Sequence, residues 1–376
     1  MNKLNKGEWA EFYVMLKLLG EGKLHTANAL LKKNINNYLD IIKVIREETE
    51  NNIIHYIIDK DTIQIKQKDS DMVLAEIDKS LFDKYATELF NSISKQKGSS
   101  VAAPESVYDF AKVIYVDKPK APSVKSLEKQ FGGKNDIFIE VRDPQTSIIS
   151  IMGFSIKSQF ADPPTLFNAG TTSQFLFEIN PCNDAIMNKF NGFINEKGHR
   201  DWAECKRYIT DNNLSVQYAK PMYKVYDDNL SLITESMSDV IAWCFSDVLL
   251  NSGHDKRLKE TIERMIAINP LKKSNPNLFY QKWIKDFLMA GFTGMTAGIA
   301  WDGKEQVNGG YIVVMDKGEV LCYHSNDRES FRNYLLNNLF IEQVSTKKYK
   351  WSYIFKEDGK YYLPLNASLR FSKETR

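Results

Sequence analysis

The chain is poor in the residues that build disulfide frameworks and structural zinc sites. Its four cysteines, Cys182, Cys205, Cys244 and Cys322, lie far apart, with no CxxC pair and no histidine at ligand spacing. This pattern excludes both a disulfide scaffold and a structural zinc site. We therefore expect four reduced, mostly buried thiols in a cytoplasmic protein.

The sequence also lacks a long apolar run and a marked excess of charge of one sign. No stretch of about 18 apolar residues occurs, and the first residues, MNKLNKGEWAEFYV, do not follow the order of a secretory signal. Fifty Lys and Arg residues against 48 Asp and Glu residues leave a formal net charge of +2. We expect no membrane partner, and a nucleic acid would have to be recognised by a local basic patch.

What the chain does contain is the composition of a globular protein, with 43% hydrophobic and 26% charged residues. Its 376 residues exceed the ~100–200 residues of a usual domain. Hydrophobic periodicity and turn residues predict a mixture of helices and strands, which corresponds to an α/β protein of the mixed, α+β type. The predicted elements are helices at 8–19, around 27–50 and at 80–97, two strands in IIHYIIDKDTIQIKQ, a mainly helical region from about 184 to 300, and two hairpins flanking a helix at 327–339.

The most informative segment is a predicted β-hairpin formed by DIFIEVRD (136–143) and IISIMGFSIKSQ (148–159). Strand side chains alternate between faces, so each strand carries one apolar row that must face the core. Burying both rows on one side fixes the pairing, because a one-residue slip would expose one of them. Paired residues then sum to about 291, which predicts Asp136 opposite Ser155, with Lys157 on the same non-core face.

An acid at the start of one strand and a lysine near the end of its partner form a magnesium-nuclease arrangement. The carboxylate of Asp136 would hold the hard cation, and Lys157 would orient or activate the attacking water. The alternative is an ordinary solvated hairpin face, on which Asp and Lys are common. Ser155 stands where a second acid would be expected. Glu8 and Glu11 are candidates for it, since they are neighbours on the first helix; as an alternative, both are acids favoured by the helix dipole.

The last 34 residues, Gln343 to Arg376, form a second candidate site. They hold eight Lys and Arg residues against three acids and several aromatic residues. This composition predicts a ribbon that contacts DNA phosphates, and a solvated hairpin with aromatic cross-strand pairs is the alternative. The candidate DNA-binding residues of this ribbon are Lys347, Lys348, Lys350 and Arg370.

Several runs of the sequence resemble one known family. They are KGEWAE (6–11), KNDI (134–137), GFSIKS (153–158), TLFNAG (165–170), NGGYIVV with VLCYH (308–324) and LNASLRF (365–371). Together they resemble type II restriction endonucleases of the HpaII type, in the PD-(D/E)xK nuclease superfamily. The resemblance implies a nuclease core with a mixed sheet flanked by helices, followed by helical and C-terminal β-rich regions.

The resemblance also implies an activity and its partners. It implies Mg²⁺-dependent cleavage of double-stranded DNA at a short palindrome, with CCGG as the first candidate. It further implies a homodimer and a cognate DNA methyltransferase in the same system. Two alternatives remain open. One is a catalytically inactive DNA-binding module, and the other is a methyltransferase built on DPPT (162–165), which lacks a Gly-rich cofactor loop.

Residue by residue, the resemblance agrees with the hairpin argument. Asp136 and Lys157 match the acid and the lysine of the superfamily, and Ser155 departs from it at the usual second acid. The KGxxxE spacing resembles the helix that supplies a metal-binding glutamate, which favours Glu11 over Glu8. Thr165 and Asn168 follow the catalytic strand in the sequence, and we expect them to contact a base edge or a phosphate.

The sequence suggests three regions. Residues 1–200 would form the nuclease core around the first helix and the hairpin 136–159, with 21–100 as a candidate inserted or accessory DNA-binding subdomain. Residues 201–300 would form a helical region. Residues 301–376, with β-hairpins and a helix, would contact DNA.

Overall fold

The computed structural model describes residues 3–28, 30–49, 52–70, 72–98, 100–120, 127–129, 135–159, 165–304, 309–324, 328–344 and 351–372. The chain forms two units. The first comprises 1–164 and 305–334, and the second comprises 165–304 and 335–375. These bounds differ from a division near 200 and 300, because residues 310–314 pair with residues 154–158 of the first unit.

The described helices and strands confirm a mixed α/β fold. The strands are β1 (Leu4–Asn5), β2 (Lys23–Ala27), β3 (Lys33–Thr49), β4 (Asn52–Asp59), β5 (Thr62–Gln67), β6 (Val73–Asp78), β7 (Ser100–Val101), β8 (Ile137–Arg142), β9 (Ile149–Ser158), β10 (Thr165–Phe167), β11 (Phe175–Asn180), β12 (Ser215–Pro221), β13 (Gly310–Val314), β14 (Val320–His324), β15 (Leu339–Gln343), β16 (Phe355–Glu357), β17 (Lys360–Leu365) and β18 (Ala367–Phe371). The helices are α1 (Lys6–Glu21), α2 (Lys79–Ile93), α3 (Glu105–Val113), α4 (Asp184–Asn191), α5 (Trp202–Asp211), α6 (Lys224–Ser231), α7 (Met237–Leu250), α8 (Leu258–Ile268), α9 (Pro276–Thr293) and α10 (Arg328–Asn338).

The first unit is built on a nine-stranded mixed sheet, whose strand order is β2-β14-β13-β9-β8-β3-β4-β5-β6. A further pairing joins β2 to β3. Helices α1, α2 and α3 pack with one face of this sheet in a single apolar core. We call this side the core face and the opposite side the outer face. Strands β2 to β6, within residues 21–100, therefore belong to the same sheet as the hairpin of β8 and β9.

Helix α1 confirms the first predicted helix. Asn5 caps it by accepting a hydrogen bond from the Glu8 backbone at 2.8 Å, and the Glu8 side chain accepts one from the Asn5 backbone at 3.0 Å. This reciprocal capping box satisfies two backbone donors that a helix start leaves open. The helix ends at Gly22, whose φ of 75° suits a residue without Cβ. Nine of its 16 residues are buried, all of them between Trp9 and Leu19, so α1 is a central helix of the core.

The predicted helix around 27–50 is wrong, because this segment is the long strand β3. Its core-face residues Leu39 and Ile41 follow strand spacing, and the register then shifts between Ile41 and Lys43. The shift moves the next core residue to Val44, three positions after Ile41. A β-bulge thus produces the spacing that resembles a helix. Pairing with β2, β4 and β8 decides the conformation.

The hairpin formed by β8 and β9 has the predicted register. Strands β8 and β9 are antiparallel, with Ile137 opposite Phe154 and Phe138 opposite Gly153, so paired residues sum to 291. The apolar residues that were predicted to share one face all lie in or against the core of the first unit: Ile137, Ile139, Val141, Met152, Phe154 and Ile156. Asp136, Ser155 and Lys157 consequently lie on the outer face.

The second unit holds two small antiparallel sheets and the helices α4 to α9. One sheet has the order β10-β18-β15 and the other β12-β11-β17-β16. Helices from α4 to α9 confirm the mainly helical region, which the strand β12 interrupts. The predicted C-terminal hairpin is also confirmed, with Glu357 opposite Lys360 beside its turn. The unit is anchored by large aromatic residues, among them Trp202 and Trp351, whose rings meet edge to face at 4.8 Å.

Candidate active site

The centre of the candidate site is the carboxylate of Asp136, held from the neighbouring strand β9. Its Oδ2 accepts a hydrogen bond from the Ser155 hydroxyl at 3.0 Å and another from the Ile156 backbone N–H at 2.7 Å. The backbone N–H of Asp136 donates to the Phe154 carbonyl at 2.8 Å, which ties the same position to β9. Three hydrogen bonds therefore fix the acid, and Oδ1 has no hydrogen-bond partner within the part of the chain that the structure describes.

Lys157 lies two residues beyond Ser155 on the same strand and hence on the same face. Its side chain is half-buried, and the described residues provide it with no ion-pair partner. Most surface lysines of this chain with described contacts sit beside a carboxylate, as Lys43 does beside Glu140 at 2.7 Å. An ammonium group without such a partner, beside a fixed carboxylate, is available for an anion such as a phosphate.

A cluster of aromatic residues borders the site on one side. Strand β13 runs parallel to β9 and sets Tyr311 beside Ser155. Tyr311 is fully buried, and burial raises its pKa well above 10, with smaller contributions from Tyr334 and from the negative charge of Asp136. Tyr323, opposite Tyr311 on β14, stacks on Tyr334 of α10 with ring centroids 4.7 Å apart. This cluster shields one flank of Asp136 from water.

A small apolar patch borders the site on the other side. Ile45, Ile53 and Phe138 form a separate buried cluster on the outer face, and Leu127 and Ile151 pack against it. Asp136, Ser155 and Lys157 thus lie between two covered areas of the same sheet face. A polar strip of this kind suits a substrate that is charged and a reaction from which bulk water is partly excluded.

Gly153 brings the backbone unusually close to the residue that precedes Asp136. A Cβ on Gly153 would lie 2.4 Å from Cγ of Asn135, which is closer than two non-bonded carbon atoms approach each other. The Asn135 side chain, which is only 8% exposed, therefore occupies the space that any other residue at 153 would fill. No local sequence pattern indicates this contact, because Asn135 and Gly153 lie on opposite sides of the hairpin turn.

The other two predicted acids lie on α1, which packs against the core face rather than the outer face. Glu8 is used by the capping box and also lies 3.6 Å from Nζ of Lys120. Glu8 therefore has a structural role at the start of α1. Glu11 is half-buried within the same helix. The structure brings together Asp136, Ser155 and Lys157, and it sets Glu8 and Glu11 on an element that covers the opposite side of the sheet.

The predicted DNA-binding residues belong to the second unit. Thr165 of β10 is the register partner of Arg370 on β18, so two residues that were singled out separately are neighbours. Arg370 also lies 3.0 Å from Oε2 of Glu342. Asn168 is exposed just after β10. Lys347, Lys348 and Lys350 lie outside the described residues, as do the first three residues of DPPT.

The carboxylate of Asp136 supplies part of the ligand set that a hard divalent cation requires. A carboxylate with one oxygen fixed by two donors and the other available is the ligand type that Mg²⁺ prefers. Among the described residues, no group of three or more His, Cys, Asp or Glu side chains is close enough to hold a metal ion. Mg²⁺ usually retains several waters and binds substrate phosphates, so it is commonly held by one or two protein carboxylates.

Comparisons with known proteins agree with the resemblance. The family model described as HpaII restriction endonuclease matches residues 5–371. The type II restriction enzyme HpaII of Haemophilus parainfluenzae is 28% identical over 382 residues, which cover 98% of this chain and 98% of that protein. No solved structure matches the chain. Within the described ranges, no helix combines the length and apolar character needed to cross a bilayer. The chain belongs to the HpaII restriction endonuclease family and is a type II restriction endonuclease that acts on DNA.

Proposed function

We propose that this endonuclease hydrolyses both strands of DNA at a short palindrome, with Mg²⁺ held by Asp136 and the attacking water oriented by Lys157. The observation that carries the proposal is the pair of hydrogen bonds from Ser155 and Ile156 to Asp136. They fix an acid on the same sheet face as a half-buried lysine. On this basis we assign the hairpin and its sheet to the PD-(D/E)xK nuclease core.

The residues divide the chemistry between them. A bound Mg²⁺ would supply Lewis acidity at the scissile phosphate and promote ionisation of a bound water. Asp136 offers Oδ1 to the cation while the Ser155 hydroxyl holds Oδ2 in place. Lys157 hydrogen-bonds the water and offsets the negative charge that develops on the phosphate as the P–O bond forms. Tyr311 and its aromatic neighbours limit the access of bulk water to Asp136 from one side.

The finer assignments follow from the family and from the nature of the substrate. CCGG is the proposed recognition sequence. A palindrome has two-fold symmetry, so a homodimer matches it with one active site for each strand. A methyltransferase of the same specificity would protect the host DNA. We propose Thr165, Asn168 and Arg370 as DNA contacts, together with the ribbon that carries Lys347, Lys348 and Lys350.

A cleavage assay on unmethylated phage DNA tests the proposal, with Mg²⁺ in one series and a chelator in the other. We expect discrete fragments only with Mg²⁺, and sequencing of their ends gives the recognition site and the position of the cut. Lys157→Ala should leave the DNA intact. DNA binding without cleavage by the wild-type protein at any Mg²⁺ concentration would instead support an inactive binding module.

A further inference from the structure

Strand β3 provides a further acid, Glu47, near Asp136. On β3 and β8, Ile45 is the register partner of Phe138, and the strands are antiparallel. Extending this register by two residues brings Glu47 opposite Asp136, which directly precedes the first residue of β8. Residues two positions apart on a strand lie on the same face. Glu47 therefore shares the face of Ile45, and Asp136 shares the face of Phe138. Glu47 therefore belongs to the outer-face row that contains Asp136.

The neighbours of Glu47 confirm which face it occupies. Glu47 pairs with Ile53 on β4, and Ile53 packs with Ile45 and Phe138 in the outer-face cluster. The adjacent residue Arg46 pairs with Ile54, which belongs to the core of the opposite face. Glu47 is only 7% exposed. A carboxylate at this depth carries a desolvation cost that an ordinary solvated acid does not.

The row crosses the sheet at the active site. It runs from Ile53 through Glu47 to Asp136, then to Ser155 and Tyr311. Directly opposed residues on adjacent strands have Cβ atoms roughly 4.5–5.5 Å apart. Two carboxylates at that spacing, one longer than the other by a methylene, can both reach one cation with ligand distances of about 2.0–2.1 Å.

Two other acids in this part of the first unit, Glu48 and Glu11, are placed differently from Glu47. The Glu48 side chain, only 2% exposed, pairs with Nε of Arg46 at 2.6 Å, and its other oxygen accepts from the Asp117 backbone at 3.1 Å. The role of Glu48 is therefore to anchor the segment around Asp117. Glu11 is on a helix of the core face. Glu47 is the acid that shares both the face and the row of Asp136.

We propose that Glu47 is the second carboxylate of the metal site and takes the role that Ser155 cannot fill. The inference rests on the proposed function, since it concerns the same Mg²⁺. It also explains how a serine is tolerated at position 155. The second acid comes from the strand on the other side of β8, and the serine is left to hold Asp136.

Titration of the intact protein with Mn²⁺, followed by the loss of the free-ion electron paramagnetic resonance signal, tests the proposal without cleavage. The variants are Glu47→Gln, Asp136→Asn and Glu140→Gln. Glu140 is the matched control, because it is an outer-face acid of β8 whose carboxylate pairs with Lys43. We expect Glu47→Gln and Asp136→Asn each to weaken Mn²⁺ binding at least tenfold, and Glu140→Gln to bind as the wild type does.

A rescue variant separates ligation from a structural role. In the double variant Glu47→Gln/Ser155→Asp, a carboxylate returns next to Asp136 from the opposite strand, and Mn²⁺ affinity should recover. Full affinity in Glu47→Gln together with loss in Asp136→Asn would overturn the role of Glu47 and leave the proposed function standing. A lost affinity that Ser155→Asp does not restore also overturns it. Absence of saturable Mn²⁺ binding by the wild type would overturn the proposed function as well.

Discussion

The hydroxyl of Ser155 donates a hydrogen bond to Oδ2 of Asp136 across the β8–β9 hairpin, at 3.0 Å. Position 155 is where the nuclease resemblance leads one to expect an acid. In this chain the residue at that position, Ser155, hydrogen-bonds to the acid on the neighbouring strand instead. A hydroxyl donor at this place orients the carboxylate of Asp136 without adding a further negative charge on the β9 side.

The first prediction concerns the two residues assigned to the chemistry. Asp136→Asn and Lys157→Ala should each reduce the cleavage rate by at least roughly 10²–10³-fold, the loss typical when a group that stabilises developing charge is removed. DNA affinity, measured by gel shift with Ca²⁺ in place of Mg²⁺, should change little for Lys157→Ala. Cleavage within a few-fold of wild type in either variant would move the active site away from this hairpin.

The second prediction concerns Ser155. Ser155→Ala removes a hydrogen bond to a charged group, worth about 1.5–3 kcal/mol, while the backbone N–H of Ile156 still holds the carboxylate at 2.7 Å. We expect kcat to fall about tenfold with KM for DNA unchanged, because Ser155 acts through Asp136 and not on the substrate. Ser155→Thr keeps the hydroxyl and should restore most of the rate. Equal rates for the alanine and threonine variants would contradict this role.

The third prediction concerns the close approach of Gly153 and Asn135. Gly153→Ala puts a methyl group where the Asn135 side chain lies, at 2.4 Å from its Cγ. We expect a loss of about 1–3 kcal/mol in the free energy of unfolding, as for other overpacked sites, measured by urea denaturation. Gly170→Ala is the matched control, since its φ is −149° and no heavy atom lies within 4 Å of the added methyl group. Similar destabilisation in both variants would show that the contact is unimportant.

The fourth prediction concerns pH. Burial lowers the pKa of His55 below its ordinary value of 6.5, and the charges of Lys43 and Lys68 add to this effect. The unfolded chain therefore binds the proton first as the pH falls, and stability decreases below pH 6.5. His55→Gln should reduce the dependence of the urea midpoint on pH in that range. Above pH 6.5 the two proteins should differ by a constant amount, and an unchanged slope below it would contradict the assignment.

The fifth prediction concerns Arg370, the register partner of Thr165. If Arg370 contacts a phosphate, Arg370→Ala should lower DNA affinity and reduce the slope of log K against log salt by about 1. Glu342→Gln removes the carboxylate that lies 3.0 Å from this guanidinium and should strengthen DNA binding. Weaker binding of Arg370→Ala with an unchanged salt slope would point to a structural role in the small sheet.

The catalytic hairpin could be predicted from the sequence to the level of its register. Its two strands have clear alternation and a short connection, so the requirement to bury both apolar rows leaves one pairing. Asp136 and Ser155 follow from that pairing, and the structure has them in hydrogen-bonding contact. Local patterns and a short loop closure were sufficient here, because no distant part of the chain was needed to fix the pairing.

Strand β3 could not be predicted in the same way. The register shift after Ile41 disrupts its alternation, and the acid-rich end of the segment is as typical of a helix as of a strand. Its conformation is decided by three partner strands, which are distant in sequence in the case of β8. Interpreted as a helix, the segment gave no reason to consider Glu47. Interpreted as a strand, it sets Glu47 on the same face as Ile45.

The parallel pairing of β13 with β9 also has a consequence for the synthesis of the protein. Strand β9 and Lys157 leave the ribosome long before Gly310–Val314, the segment that forms their neighbour in the sheet. Until that segment emerges, β9 has an open edge on this side and Ser155 lacks the tyrosine that lies beside it. A nascent or truncated chain that ends before Gly310 therefore lacks the strand that borders the candidate site.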